Sequence, residues 1–120
     1  MTDFAAGRFT AFPAPDEGRA PPFDLNHLER QAMGDRNLML EVLVLFGRQL
    51  DGLHARLAGA SPDERREIAH TLKGAARGVG AFAIGDCAAR IEERPGDDAA
   101  IEALRPLVDE ALGFIAAIGR

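Results

Sequence analysis

With 120 residues, 47% of them apolar and 28% charged, the chain has the make-up of one globular domain rather than of a disordered or membrane-spanning chain. No apolar run approaches the roughly 18 residues of a transmembrane helix, and the opening MTDFAAGRFTAF lacks the basic-then-apolar order of a secretory signal, so the cytoplasm is the expected location. A net charge of −5 argues against generic nucleic-acid binding, which is built from clustered Lys and Arg.

Residues 1–22 hold four of the seven prolines and show no helical period, and are expected to form a mobile tail ahead of a domain spanning 23–120. Five helices follow from caps and apolar spacing, and no alternating stretch claims a strand. The first runs from Asp24, a candidate N-cap, to about Met33, with Leu25, Leu28 and Ala32 on one face and Gly34 ending it. The second spans Asp35 to Leu57, where Leu38, Val42, Leu45, Phe46, Leu50, Leu53 and Leu57 keep the three-and-four spacing of an amphipathic helix.

"SPDE" opens the third: Ser61 caps, Pro62 takes the favoured first position and Glu64 completes a capping box. This helix continues through His70 to about Gly80. The fourth covers roughly Ala83 to Arg94 with Ile84, Cys87, Ala88 and Ile91 inward, and "RPGDD" separates it from the fifth, which runs from Asp97 to the C-terminus. Ile101, Leu104, Val108, Ala111, Ile115 and Ile118 make its seam; Pro106 lies off it and predicts a kink. Four substantial helices joined by short loops fit an all-α, antiparallel up-down-up-down four-helix bundle with a short extra N-terminal helix across one end.

The chemistry lies in "AHTLKGAARGVGAF", residues 69–82. On a wheel turning 100° per residue, Arg66, Lys73, Gly74 and Arg77 fall within about 60° of His70, while Ile68, Leu72, Ala75 and Val79 gather on the far side. His70 therefore faces away from the core. Gly74, one turn on, leaves the approach to the ring bare at a cost of about 0.8–1 kcal/mol of helix propensity. Lys73, Arg66 and Arg77 place cations beside an open imidazole, a setting suited to a phosphoryl group or another oxyanion.

"AHTLKGAARGVGA" resembles the signature of histidine-containing phosphotransfer (HPt) domains: a helical histidine followed by leucine, lysine and glycine, with a further glycine ten residues after the histidine. His70, Leu72, Lys73, Gly74 and Gly80 match one for one. "FDLNHLERQAMGDRNLMLEVLVLF" and "CAARIE" extend the likeness over nearly everything after residue 22. The resemblance implies a free-standing relay in which His70 accepts a phosphoryl group from the aspartyl phosphate of a receiver domain in a hybrid kinase and passes it to a response regulator. In that family the phosphorylated atom is the ring nitrogen farther from the backbone. Neutral imidazole, with a reference pKa of about 6.5, is a competent nitrogen nucleophile at pH 7.

By the same resemblance Lys73 neutralises phosphoryl charge, Gly74 lets the receiver close over the ring, and Arg66 and Arg77 are secondary phosphate or docking contacts. The chain needs no cofactor, because Mg²⁺ belongs to the receiver. Docking is expected on the His70 face and nearby exposed parts of the second helix, and four full helices in one chain fit a monomer. Family members often add a polar or basic side chain from the next helix that orients the imidazole or its phosphate; Arg90, Glu92 and Arg94 are the candidates, none receives the role, and Glu92 would be a poor phosphate neighbour.

Other chemistry finds little support. A kinase would need an ATP-binding domain, for which there is neither length nor a Gly-rich loop. His27 and His54 stand at no metal-ligand spacing and read as surface residues; Cys87 reads as a small buried residue, and Ser61 is the sole serine. The reading from another class is a helical adaptor that docks a receiver or partner helix without being phosphorylated; an intact response in His70→Gln would distinguish it.

Overall fold

The computed structural model describes residues 21–119, so the expected tail lies outside the described residues except for Pro21 and Pro22. All five expected helices form, and among the described residues there is no strand: α1 (Leu25–Gln31), α2 (Arg36–Leu57), α3 (Pro62–Gly78), α4 (Phe82–Glu93) and α5 (Asp98–Ile118). None of them is long and apolar enough to cross a membrane.

Local chemistry sets the helix starts. Asp24, Asp35 and Asp97 accept hydrogen bonds from backbone N–H groups at the starts of α1, α2 and α5. At α3 the full capping box forms: Ser61 Oγ accepts from the Glu64 N–H (3.2 Å), and Glu64 Oε1 accepts from the Ser61 N–H (2.8 Å). Two helix ends share one geometry. After α3 the Gly80 N–H bonds to the Arg77 carbonyl and the Ala81 N–H to that of Ala76, with Gly80 at φ +81°. After α1 the Met33 and Gly34 N–H groups bond to Arg30 and Glu29; Met33, not Gly34, takes the first left-handed position, at φ 53°.

In space α3 packs on α4 and α2, α5 packs on α2 and α4, and α1 touches α2. The core is continuous through them, and Phe23 anchors its N-terminal end, its ring 5.9 Å from Phe46 and 5.6 Å from Phe114. Arg65 ties the other end. Its guanidinium donates to the carbonyls of Leu57, Ala58 and Pro95 and to Asp98, joining the end of α2 to the start of α5.

The buried stripe of α2 differs from the expected one. Met39, Leu43, Phe46, Gly47, Leu50 and Leu57 point inward, whereas Leu38 and Leu45 are exposed. Both sets have helical spacing; contact with α5 decides between them, because a Cβ on Gly47 would sit 3.1 Å from Ile115 Cδ1. In α3 the inner residues are Ile68, Ala69, Leu72, Ala76 and Val79, with Ala75 at the edge. Pro106 is accommodated inside a continuous α5 on its solvent side.

The glycines after His70 serve unlike purposes. At Gly74 an added Cβ would meet nothing within 4 Å. At Gly80 it would lie 3.0 Å from the Asp24 carbonyl oxygen, on a backbone already at positive φ; the Asp24 N–H also bonds to the Gly80 carbonyl at 2.9 Å. Gly80 thus does more than end α3: it is where α1 crosses the α3–α4 turn. Gly74→Ala is expected to raise unfolding stability by about 0.8–1 kcal/mol, and Gly80→Ala to lower it by about 1–3 kcal/mol, as read from urea denaturation midpoints.

Candidate functional site

The outer face of α3 carries His70 with 69% of its side chain exposed. Lys73 stands three residues on, nearly one turn along the helix. On the wheel Ala69 and Ala76 occupy the same side of α3 as Lys73, and both are fully buried. Small side chains there let α4 lie close. With Ile84, Cys87, Ala88 and Ile91 turned into the core, Glu92 emerges beside α3.

Its carboxylate holds both residues. Glu92 Oε2 is 2.8 Å from His70 Nδ1, and Oε1 is 2.6 Å from Lys73 Nζ. The hydrogen bond from Lys73, then that from His70, hold the Glu92 carboxyl below its ordinary value of 4.5. An ionised carboxylate can only accept. His70 Nδ1 therefore carries the hydrogen, and in the neutral ring Nε2 keeps the lone pair. Nε2 has no hydrogen-bonding partner among the described residues, so its lone pair is left open on the exposed side of the ring.

The remaining residues of the expected constellation are placed separately. Gly74 is open on the same face. Arg66 pairs with Asp63 at 3.3 Å, within its own helix. Arg77 lies along α4, its Cγ 3.0 Å from where a Cβ on Gly85 would be, and reaches Asp86 at 3.7 Å. Of the three cations, Lys73 is the one joined to His70 through a shared partner. Arg90 and Arg94 are exposed on α4 and in the turn after it.

Sequence reasoning counted Glu92 among the candidates to orient the imidazole or its phosphate, but withheld the role because a carboxylate is a poor phosphate neighbour. The signal that finds it is the ring's second nitrogen, which needs an acceptor if Nε2 is to react. His27 is likewise more than a surface histidine: half-buried, it donates from Nε2 to the Gly78 carbonyl at 3.1 Å and sets its ring edge-on to Phe82. Cys87 is buried, donates to the Ala100 carbonyl at 3.3 Å, and has its thiol pushed up by burial, which suits packing and not attack.

The lowered Glu92 carboxyl has a defined pH signature. A depressed folded-state value means that the bonds Glu92 makes stabilise the fold fully above 4.5 and are lost as pH falls through that lower value. NMR titration of the side-chain carboxyl is expected to give a midpoint below 4.5, and Lys73→Met to raise it by removing the larger cause. A wild-type midpoint at or above the ordinary value would contradict the bridge.

The profile of the Hpt domain family matches residues 38–114, a stretch holding His70, Lys73, Gly74 and Glu92 and most of α2 and α5. No curated protein and no solved structure matches the chain. That match covers well over half of the sequence and centres on a helix whose exposed histidine presents an Nε2 with no partner among the described residues; the chain belongs to the Hpt domain family, whose role is phosphotransfer in phosphorelays.

Proposed function

We propose that the chain is a phosphorelay carrier that takes a phosphoryl group onto His70 from the aspartyl phosphate of one receiver domain and gives it to the aspartate of another. The observation that carries this reading is the bridge on Glu92, which engages Nδ1 and leaves Nε2 open. The Nε2 lone pair attacks phosphorus, the N–P bond forms as the P–O bond to the receiver aspartate breaks, and that aspartate leaves as a carboxylate. Nδ1 keeps its hydrogen throughout. The ring becomes cationic on phosphorylation, and the Glu92 carboxylate 2.8 Å away stabilises that charge.

Lys73 is the nearest cation to the incoming phosphoryl group and can turn from Glu92 toward it. Gly74 gives the receiver room to close over the ring. Arg66 and Arg77 flank the same face and serve docking on an acidic receiver surface. In this reading the chain holds no cofactor, Mg²⁺ being bound by the receiver, it works in the cytoplasm, and it has no kinase activity of its own. The four long helices form the antiparallel up-down-up-down bundle, α1 being the extra element; the packing order α2–α3–α4–α5 and the short connections support it.

Incubation with phosphorylated receiver domains from the source organism is expected to place an acid-labile, alkali-stable phosphate on the wild type and none on His70→Gln. Equal label on both proteins, or none on the wild type with any receiver, overturns the reading. Gly74→Gln is expected to slow transfer about tenfold or more, roughly 1.4 kcal/mol in the barrier, while the helix content is kept. Glu92→Gln retains an acceptor for Nδ1–H and is expected to stay near wild type in ¹⁵N imidazole shifts; Glu92→Met removes it, and the shifts should report a mixture of ring tautomers together with slower transfer.

A further inference from the structure

Five large apolar side chains are exposed among the described residues, and three of them, Leu38, Val44 and Leu45, are on α2. Leu45 is 62% exposed in the middle of that helix. On the wheel Glu41, Val44, Leu45 and Arg48 fall within about 100° of one another, opposite the buried stripe of Met39, Leu43, Phe46 and Leu50. Beside this outer face runs an open groove of about 470 Å³ between α2 and α5, lined by Leu40, Glu41, Val44, Leu45, Ile115 and Ile118.

Charge order along the face is self-complementary. Glu41 and Arg48 lie seven residues apart, about 10 Å along the axis, and neither forms an ion pair or side-chain hydrogen bond with another described residue. A two-fold axis perpendicular to α2 between Val44 and Leu45 maps each residue i onto the height of residue 89 − i. Glu41 then faces Arg48 of the second copy, and Arg48 faces its Glu41, each about 5 Å from the axis. Between the two ion pairs lie the Val44 and Leu45 side chains of both copies. The apolar centre flanked by opposite charges is what an isologous contact requires.

We propose that this chain pairs with a second copy of itself through antiparallel contact of the α2 outer faces, in that register, with the groove between α2 and α5 receiving apolar side chains from the partner. The monomer expected from the sequence gives way to a reversible dimer. The contact leaves the chemistry free: α3 and α4, which carry His70, Lys73 and Glu92, form the edge of the packing order opposite the pair α2 and α5. Because receiver docking is expected to use exposed parts of α2 as well, self-association is read by sedimentation and phosphotransfer by label on His70, so that the two are tested apart.

Sedimentation equilibrium on the full chain tests it. The wild type is expected to show a monomer–dimer equilibrium that weakens as salt rises. Leu45→Glu and Glu41→Arg are each expected to weaken it at least about tenfold, roughly 1.4 kcal/mol, and the double exchange Glu41→Arg with Arg48→Glu to restore it. Circular dichroism checks that all variants are folded. A wild type that stays monomeric at its highest soluble concentration overturns the proposal. So does a double exchange that is folded but no better associated than Glu41→Arg. Two further outcomes reassign the groove and also overturn it: dimers that appear only when residues 1–20 are removed, and a monomeric wild type whose phosphotransfer is slowed by Leu45→Glu.

Discussion

One carboxylate from α4 must meet two donors from α3. Glu92 reaches His70 and Lys73 together because a three-residue spacing puts both on one side of a helix, and because α4 lies close enough to present a side chain between them. Ion pairs on open surfaces contribute little. This one matters less for stability than for the ring it touches: a charge that can only accept selects which imidazole nitrogen holds the hydrogen, and so which one keeps an open lone pair. Everything that sets the distance between α3 and α4, from the buried alanines of α3 to the Gly80 turn that joins the helices, acts on that choice.

Glycine and alanine are used differently around this constraint. At Gly47 the missing side chain lets α2 approach Ile115 of α5. At Gly80 the backbone needs a left-handed conformation and the Asp24 backbone passes within contact distance. At Gly74 neither reason holds, since the position is helical, exposed and empty. Gly52, Gly78 and Gly113 are helical and open in the same way among the described residues, so what sets Gly74 apart is its place one turn from His70. The open space belongs to the same face as the unpartnered Nε2.

The two long edges of the molecule are unlike in chemistry. The α3–α4 edge is polar, with an imidazole, an ammonium and a carboxylate in one network and two arginines held by carboxylates of their own. The α2–α5 edge is apolar, flanked by an acid and a base that have no partner among the described residues. Arg65 joins the end of α2 to the start of α5 across the end of the domain, fixing the elements on which both edges are built.

Much of this was legible in the residues. The five helices, the caps at Asp24 and Ser61, the outward turn of His70 and the grouping of Lys73 and Gly74 beside it follow from periodicity and local hydrogen bonding, which act within a few residues and need no partner. The family also shows in that short motif. What the residues left undecided was relational: Leu38 with Leu45 and Met39 with Leu43 both fit a helical period, and the approach of α5 at Gly47 determines which set is buried. Glu92 is 22 residues from His70, and no local rule gives the rotation of α4 about its axis. By itself the sequence determined that an imidazole would be exposed on a helix. The tertiary structure decided which of its nitrogens is free, because that depends on a hydrogen-bond acceptor brought in by packing from another helix.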